Sequence, residues 1–168
     1  KHEEEKRRKR EEDERITKPL LVAIVSGEAF AVRELLQRGA STGRLLNIAP
    51  DPPHSRCRAS PLGFFCLRAQ PSASVFLALL SQGPDLNAVH VVLGEQSALT
   101  PLGAAVHRRS AEHLKLLLRS GANPLVTFVV CDTRVTALQY SEQLGASDIS
   151  ALLCAVDAAR VSLALSRG

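Results

Sequence analysis

Three residues near the middle of the chain have side chains of the types that bind metal ions. His54, Cys57 and Cys66 occur close together in the sequence. A structural zinc ion needs four ligands in a tetrahedral arrangement, and no fourth candidate lies nearby. We therefore expect no metal site. We interpret His54 as a loop residue and the two cysteines as packed or inert thiols.

The other two cysteines are candidates for nucleophilic catalysis. Cys131 and Cys154 lie in apolar stretches, where a free thiol behaves as a small hydrophobic residue, and no His occupies a matched position. The sequence also has no Gly-rich phosphate loop and no paired carboxylates in a repeated context. We therefore expect no catalytic residues, no cofactor and no small-molecule substrate.

The composition restricts the fold class. Of the 168 residues, 45% are hydrophobic but only 4% are aromatic, and Trp is absent. A core of Leu, Val and Ala favours stacked helices over a β-sandwich, which is typically richer in β-branched and aromatic residues. The composition therefore predicts an all-α protein.

The charge and hydropathy patterns bear on partners. The net charge of +4 is small and scattered, and no aromatic residues are interleaved with the basic ones, so nucleic acid is a poor candidate. No apolar run approaches the roughly 20 residues that span a bilayer, so we expect no membrane insertion.

The four cysteines form no Cys-x-x-Cys pair, which favours reduced thiols in an intracellular compartment. Because the chain begins at Lys1 and contains no Met, we expect it to be a segment of a longer polypeptide.

Four segments repeat one pattern, a capped start followed by two helical runs. A Ser or Thr caps a helix, and Pro suits its first position because no amide donor is needed there. A Gly that adopts a left-handed conformation then ends the second run, at Gly39, Gly83 and Gly121. The four starts are Lys18-Pro19-Leu20, Ser60-Pro61-Leu62, Thr100-Pro101-Leu102 and Thr136-Ala137-Leu138.

The third unit resembles the ankyrin repeat, with Thr100-Pro101-Leu102-Gly103-Ala104-Ala105 at its start and Leu116-Leu117-Leu118-Arg119-Ser120-Gly121-Ala122-Asn123 at its end. Only the usual His, at position 103, is missing. Gly27 and Gly145 stand where the family has a glycine between its two helices. The resemblance implies a solenoid of helix-turn-helix units with long β-hairpin or loop fingers, preceded by a charged helix.

The unit boundaries follow from the repeat starts, which are 42, 40 and 36 residues apart rather than about 33. We place two residues of insertion in the second unit near Gln70-Pro71-Ser72 and interpret the Pro-rich residues 49–56 as a flexible loop. The predicted parts are a charged helical linker (1–16), an array (17–157) with units near 17–59, 60–99, 100–135 and 136–157, and a C-terminal helical extension (158–168).

The charged residues at the beginning have no apolar face. Residues 1–18 carry eight Lys or Arg and seven Asp or Glu, with pairs such as Glu3 and Arg7 at i, i+4 spacing. This pattern favours an exposed helical linker without contacts to the array's core. Two alternatives stay open: a nuclear-localisation or anionic-surface role for residues 6–10, and packing against a partner helix or filament lattice.

The resemblance implies an inner, partner-facing surface at the end of each first helix. Two interpretations of His107, Arg108 and Arg109 stay open, partner contact or solvation of a turn. Replacement of all three by Ala is predicted to change stability by less than about 1 kcal/mol, as for other surface residues. The predicted partner-binding residues are Val25, Ser26, Leu67, Arg68, His107, Arg108, Arg109, Gln139, Tyr140 and Gln143.

Two long fingers, residues 41–59 and 88–98, add variable surface. The apolar stretch of Val89 and residues 91–93 marks a partner site if it faces solvent and marks nothing if it is a packed strand.

Together these features predict a non-catalytic module that binds another protein through its concave face and fingers. The alternative is a segment docked permanently in a cytoskeletal or organellar assembly. We expect a cytoplasmic location, with cytoskeletal association and the nucleus as alternatives.

Overall fold

The computed structural model describes residues 2–48 and 57–165. It contains eight helices and six short strands within those residues. The helices are α1 (His2–Ser26), α2 (Ala29–Gln37), α3 (Pro61–Arg68), α4 (Ala73–Leu80), α5 (Pro101–His107), α6 (Ala111–Arg119), α7 (Ala137–Gln143) and α8 (Ser147–Leu165). The strands are β1 (Leu46–Ile48), β2 (Cys57–Ala59), β3 (Val91–Leu93), β4 (Ser97–Leu99), β5 (Phe128–Val130) and β6 (Thr133–Val135).

Three helices begin at the capping residues that the sequence predicts. The side chains of Ser60, Thr100 and Thr136 accept hydrogen bonds from backbone N–H groups of α3, α5 and α7. Pro61 and Pro101 occupy the first helical turn, where the missing amide costs nothing. These local interactions fix the starts of α3, α5 and α7. We call these three helices and α1 the inner helices.

Glycine ends the second helix of each of the first three units, as predicted. Gly39, Gly83 and Gly121 have φ angles of 98°, 63° and 95°, which a residue with a Cβ adopts only at a cost. The amide of Ala122 donates to the carbonyl of Leu117, and that of Ala40 donates to Leu35 in the same way. This shared hydrogen bond makes Leu35 and Leu117 equivalent residues of their units.

The charged beginning and the first inner helix form one continuous helix. α1 runs through residue 16 without interruption and contains Pro19 in its interior. Residues 2–8 are exposed, whereas Ile16 packs against the core and Thr17 is buried. Among the side chains that the structure describes in this part of α1, Ile16 and Thr17 therefore meet the aliphatic core and residues 2–8 do not.

The prediction of an all-α class is wrong, because the fingers form a single six-stranded antiparallel sheet in the order β1 to β6. β2 pairs with β3 and β4 pairs with β5, so hairpins of successive units are joined to one another. Composition misses the sheet because each strand is only three residues long and part of the pairing joins strands of neighbouring units. The sequence left two alternatives open for Val91, a solvent-facing partner site or a packed strand. The structure shows that Val91 is buried in β3.

One face of the sheet packs on the inner helices through glycine contacts. A Cβ at Gly63 would overlap the carbonyl oxygen of His90 and lie 2.7 Å from Cγ2 of Val91. A Cβ at Gly103 would lie 2.9 Å from two ring carbons of Phe128. The sheet therefore covers the N-terminal turns of α3 and α5, of which residues 61–66 and 101–106 are all buried.

His90 fastens the second finger to α3. Its Nε2 lies 2.7 Å from the Asp85 carbonyl oxygen, which can only accept, so Nε2 carries the proton. Its Nδ1 then accepts from the Ser60 hydroxyl at 2.6 Å, while that hydroxyl accepts from the Gly63 amide. Burial lowers the pKa of His90, against an opposing effect of Asp85, and keeps the ring neutral.

The helices stack in sequence order. Each inner helix contacts the next, and within a unit it contacts its second helix.

The distance between helix starts differs between units. In the second unit, the two helices start 12 residues apart (61 and 73), whereas in the third unit they start 10 residues apart (101 and 111). This difference agrees with the predicted two-residue insertion. The predicted flexible loop at 49–56 lies outside the described residues, and no helix in the described part is long and apolar enough to span a membrane.

Candidate partner-binding surface

The ends of the four inner helices are accessible at equivalent positions. Val25, Leu67, His107 and Gln143 each lie six residues after the position of Pro19, Pro61, Pro101 or Ala137. Val25, His107 and Gln143 are exposed and Leu67 is half-buried. We call these four residues, together with Ser26, Arg68 and Arg109, the inner rim. Ser26, Arg68 and Arg109 are exposed as well.

The rim carries an apolar side chain in the first unit and basic side chains in the second and third units. Val22 and Val25 lie three residues apart on α1 and are 66% and 51% exposed. The equivalents of Val22, namely Phe64, Ala104 and Tyr140, are all buried. The first unit therefore offers an apolar surface that the later units cover, next to the basic residues of the second and third units.

His107 lies on the rim but is engaged with the fourth unit. Its Nδ1 lies 2.7 Å from the Tyr140 hydroxyl, and the two rings stack with centroids 6.2 Å apart. Tyr140 is buried and also meets the edge of Phe128, whose ring centroid is 5.7 Å away. Burial raises the pKa of Tyr140, and the nearby Cys131 adds to that shift. Tyr140 therefore supports His107 from below the surface.

Arg108 and Arg109 tie the third unit to both of its neighbours. Arg108 is half-buried, and its guanidinium donates to the carbonyl oxygen of Ala69 at the end of α3. Arg109 donates from Nη2 to the carbonyl oxygen of Leu144, just after α7, at 2.6 Å. Both carbonyls are helix-end acceptors that lack an intrahelical partner. The two side chains thus hold the repeats together as well as facing solvent.

The backbone of Arg109 is strained. Its φ is 57°, in the left-handed region that costs a non-glycine residue roughly 1–2 kcal/mol. We call the turn between the two helices of a unit its corner. The first and fourth units have Gly27 and Gly145 at the position equivalent to Arg109 in this corner, with φ angles of 75° and 65°. The third unit therefore has an arginine at a position where glycine would adopt the backbone conformation at lower energy.

Two predicted contact residues in the fourth unit differ in role. The side chain of Gln139 accepts a hydrogen bond from the Thr136 amide at 2.9 Å and completes a capping box at the start of α7. Gln143 lies at the end of the same helix and is exposed. The structure thus brings Val25, Leu67, His107 and Gln143 to one level of the stack and sets Gln139 apart at the opposite end of α7.

Sequence reasoning missed His113, which lies beneath this surface. Its side chain is fully buried in α6, with Nδ1 2.7 Å from the Ser110 hydroxyl and the ring edge-on to Phe65. No residue in the described part forms a hydrogen bond with Nε2. Burial lowers the pKa of His113 to about 4, and the Arg108 guanidinium contributes in the same direction.

The four cysteines lie in two kinds of environment, with Cys57 and Cys66 at least partly buried and Cys131 and Cys154 exposed. Burial raises the pKa of the Cys66 thiol to about 12 and also raises that of Cys57, against an opposing effect of Arg68. Cys131 and Cys154 are exposed, so the expectation that they behave as small hydrophobic residues in apolar surroundings is wrong. Among residues 2–48 and 57–165, no group of three or more His, Cys, Asp or Glu could hold a metal ion, while His54 lies outside these ranges.

These features define a repeat protein, built from stacked helix pairs whose hairpins join into a continuous sheet. The family model for the ankyrin repeat matches residues 99–127, from the end of β4 through α5 and α6. This match confirms the resemblance to the ankyrin repeat in the third unit. A search of curated proteins found no match.

Proposed function

We propose that the chain is a non-catalytic module that binds a partner protein through its inner rim and finger sheet. Ankyrin repeats in general are protein–protein interaction modules. The observation that carries the proposal is the accessibility of Val25, Leu67, His107 and Gln143 at one equivalent position of four successive units. Stacked repeats hold such positions in a fixed row, which suits recognition of an extended surface.

The scattered arrangement of exposed apolar residues supports reversible binding over permanent docking. An obligate interface is large and apolar, commonly above about 2,000 Å². Among the described residues, the large exposed hydrophobic side chains lie on five separate elements or loops, with only Val22 and Val25 on a shared helix face. Permanent docking in a cytoskeletal or organellar assembly remains the alternative proposal, and the protruding charged part of α1 is the feature that supports it.

A matched pair of variants tests the proposal. Val25→Asp places a charge on the rim, whereas Phe30→Asp makes a comparable change on α2, where Phe30 is 81% exposed. Partners captured from cell extract with the unchanged chain would be identified by cross-linking mass spectrometry, and their binding to each purified variant would then be measured. Val25→Asp should weaken binding at least about tenfold and Phe30→Asp should not, since a charge buried at an interface costs 1.4 kcal/mol or more. The reverse pattern would contradict the proposal.

A further inference from the structure

The finger sheet presents a single row of side chains on the face away from the inner helices. Each strand has three residues, so only its middle residue points to that face, since side chains alternate along a strand. The pairing register places the six middle residues directly opposite one another across all five strand pairs. We call them the outward row. It consists of Asn47, Arg58, Val92, Ala98, Val129 and Arg134.

The centre of the outward row is apolar and lies outside the core. Val92, Ala98 and Val129 are half-buried and make no packing contact with the core cluster. Their neighbours along the strands behave differently, because Leu93 and Val130 pack against that cluster from the opposite face. The three central residues therefore form an apolar strip that the described part of the chain leaves open on one side.

Two arginines border this strip. Arg58 and Arg134 are exposed, and neither guanidinium forms a hydrogen bond or ion pair with a described residue. No acidic residue belongs to the row, and Glu95 and Asp132, the acidic residues nearest in sequence to its last four members, lie in the turns that join β3 to β4 and β5 to β6. The row therefore combines apolar contact with two positive charges that no described acidic side chain pairs with, which suits a partner with carboxylates at matching places.

The dimensions of the row indicate the form of that partner. Arg58 and Arg134 are four strand spacings apart, or about 19 Å at about 4.8 Å each. An extended chain covers this distance in about six residues, at roughly 3.3 Å per residue. Residues i and i+6 of an extended chain project to the same side, with i+2 and i+4 between them. A row one side chain wide matches such a segment better than it matches a helix about 10 Å across.

We propose that the outward row binds an extended segment of a partner protein in which apolar residues are flanked by two carboxylates six residues apart. The inference rests on the proposed function and names the chemistry of one partner segment. The carboxylates pair with Arg58 and Arg134, and the residues between them cover the strip at Val92, Ala98 and Val129. Nucleic acid fits less well, because the row offers only two cations and no aromatic stacking platform.

The proposal can be tested with synthetic peptides. The probe is a capped peptide that contains Glu-Ser-Val-Thr-Val-Ser-Glu, and two controls carry Gln at both acidic positions or the two Glu three residues apart. Binding to the whole chain would be followed by ¹H–¹⁵N NMR, with Arg58→Glu, Arg134→Glu and the matched surface variant Arg33→Glu compared. Circular dichroism and Tm of each variant confirm folding. A uridine-rich RNA oligonucleotide serves as the nucleic-acid probe.

The expected result is saturable binding of the probe with shifts centred on the outward row. Either substitution in the row, and either control peptide, should weaken binding at least about tenfold, while Arg33→Glu should leave it unchanged. Equal binding of the Gln peptide, shifts confined to the inner rim, tighter binding of RNA, or no binding at millimolar peptide would each overturn the inference. In each of these cases the proposed function would still stand if Val25→Asp weakened binding of a captured partner and Phe30→Asp did not.

Discussion

The corners of the first and third units have the same backbone conformation but different roles. Gly27 and Arg109 occupy equivalent left-handed positions, with φ angles of 75° and 57°. At the third corner, His107, Arg108 and Arg109 reach Tyr140, Ala69 and Leu144 in the neighbouring units. At the first corner, Val25 and Ser26 are exposed and no such bonds are formed by the described residues. The array thus uses one corner as a junction and leaves the other open for contact.

The largest difference between the two units should appear in their second helices. Leu117 is fully buried, whereas its equivalent Leu35 is half-buried, since the described residues place a repeat on only one side of the first unit. Leu117→Ala should lower the free energy of unfolding by about 2–5 kcal/mol through lost burial and a cavity, and Leu35→Ala by less. Chemical denaturation measures both. Leu125→Ala is the control, since Leu125 is 62% exposed and should change stability by no more than about 0.5 kcal/mol.

Acid should destabilise the third unit in particular, because of His113. Its pKa is about 4 in the folded protein and about 6.5 when unfolded, so the unfolded chain binds more protons between these values. Stability should therefore be fully present above pH 7 and fall as the pH drops from 6.5 towards 4, by at most about 3 kcal/mol. His90, whose pKa is also lowered, acts in the same direction.

Unfolding curves at several pH values measure the dependence on His113. His113→Gln removes the titrating ring, so it should flatten the slope between pH 6.5 and 4 even if it lowers stability throughout. An unchanged slope in this variant would mean that His113 does not control acid unfolding.

Replacement of the whole third corner should have a moderate effect. His107→Ala/Arg108→Ala/Arg109→Ala removes three side-chain hydrogen bonds between units, which together should stabilise the array by about 2 kcal/mol. This revises the expectation of less than about 1 kcal/mol from the sequence, which treats these residues as surface groups. The control is Val25→Ala/Ser26→Ala at the open corner, which should cost at most about 0.5 kcal/mol. Equal losses in urea unfolding would contradict the assignment of a junction.

The smallest effect should come from Arg109 alone. Arg109→Gly relieves the left-handed strain while losing the bond to Leu144, so its stability should stay within about 0.5 kcal/mol of the unchanged chain. Arg109→Ala loses the same bond and keeps the strain, and it should be about 1 kcal/mol less stable than Arg109→Gly. The comparison requires only the difference between two Tm values or two denaturation midpoints. Equal stability of the two variants would remove the argument for strain.

Local chemistry explains why the sequence predicts the helices so well. A Ser or Thr cap, a following Pro and a terminal Gly act within a few residues, so Thr100 and Gly121 mark the third unit unaided. The sheet depends on register between units, and three-residue strands carry too little alternation to reveal it. His113 meets Phe65, and Arg108 meets Ala69, across dozens of residues of chain. Contacts of this kind leave no spacing pattern in one sequence.

Hydrogen exchange of the chain, alone and bound to a captured partner, tests the central claim most directly. We predict slower exchange on binding near the four inner-helix ends (residues 25–28, 67–70, 107–110 and 143–146) and in the finger strands, with the outer helices α2, α4 and α6 unchanged. Slowed exchange confined to residues 2–15, or to the outer helices, would contradict it and transfer the binding role to the charged part of α1 or to the opposite side of the stack.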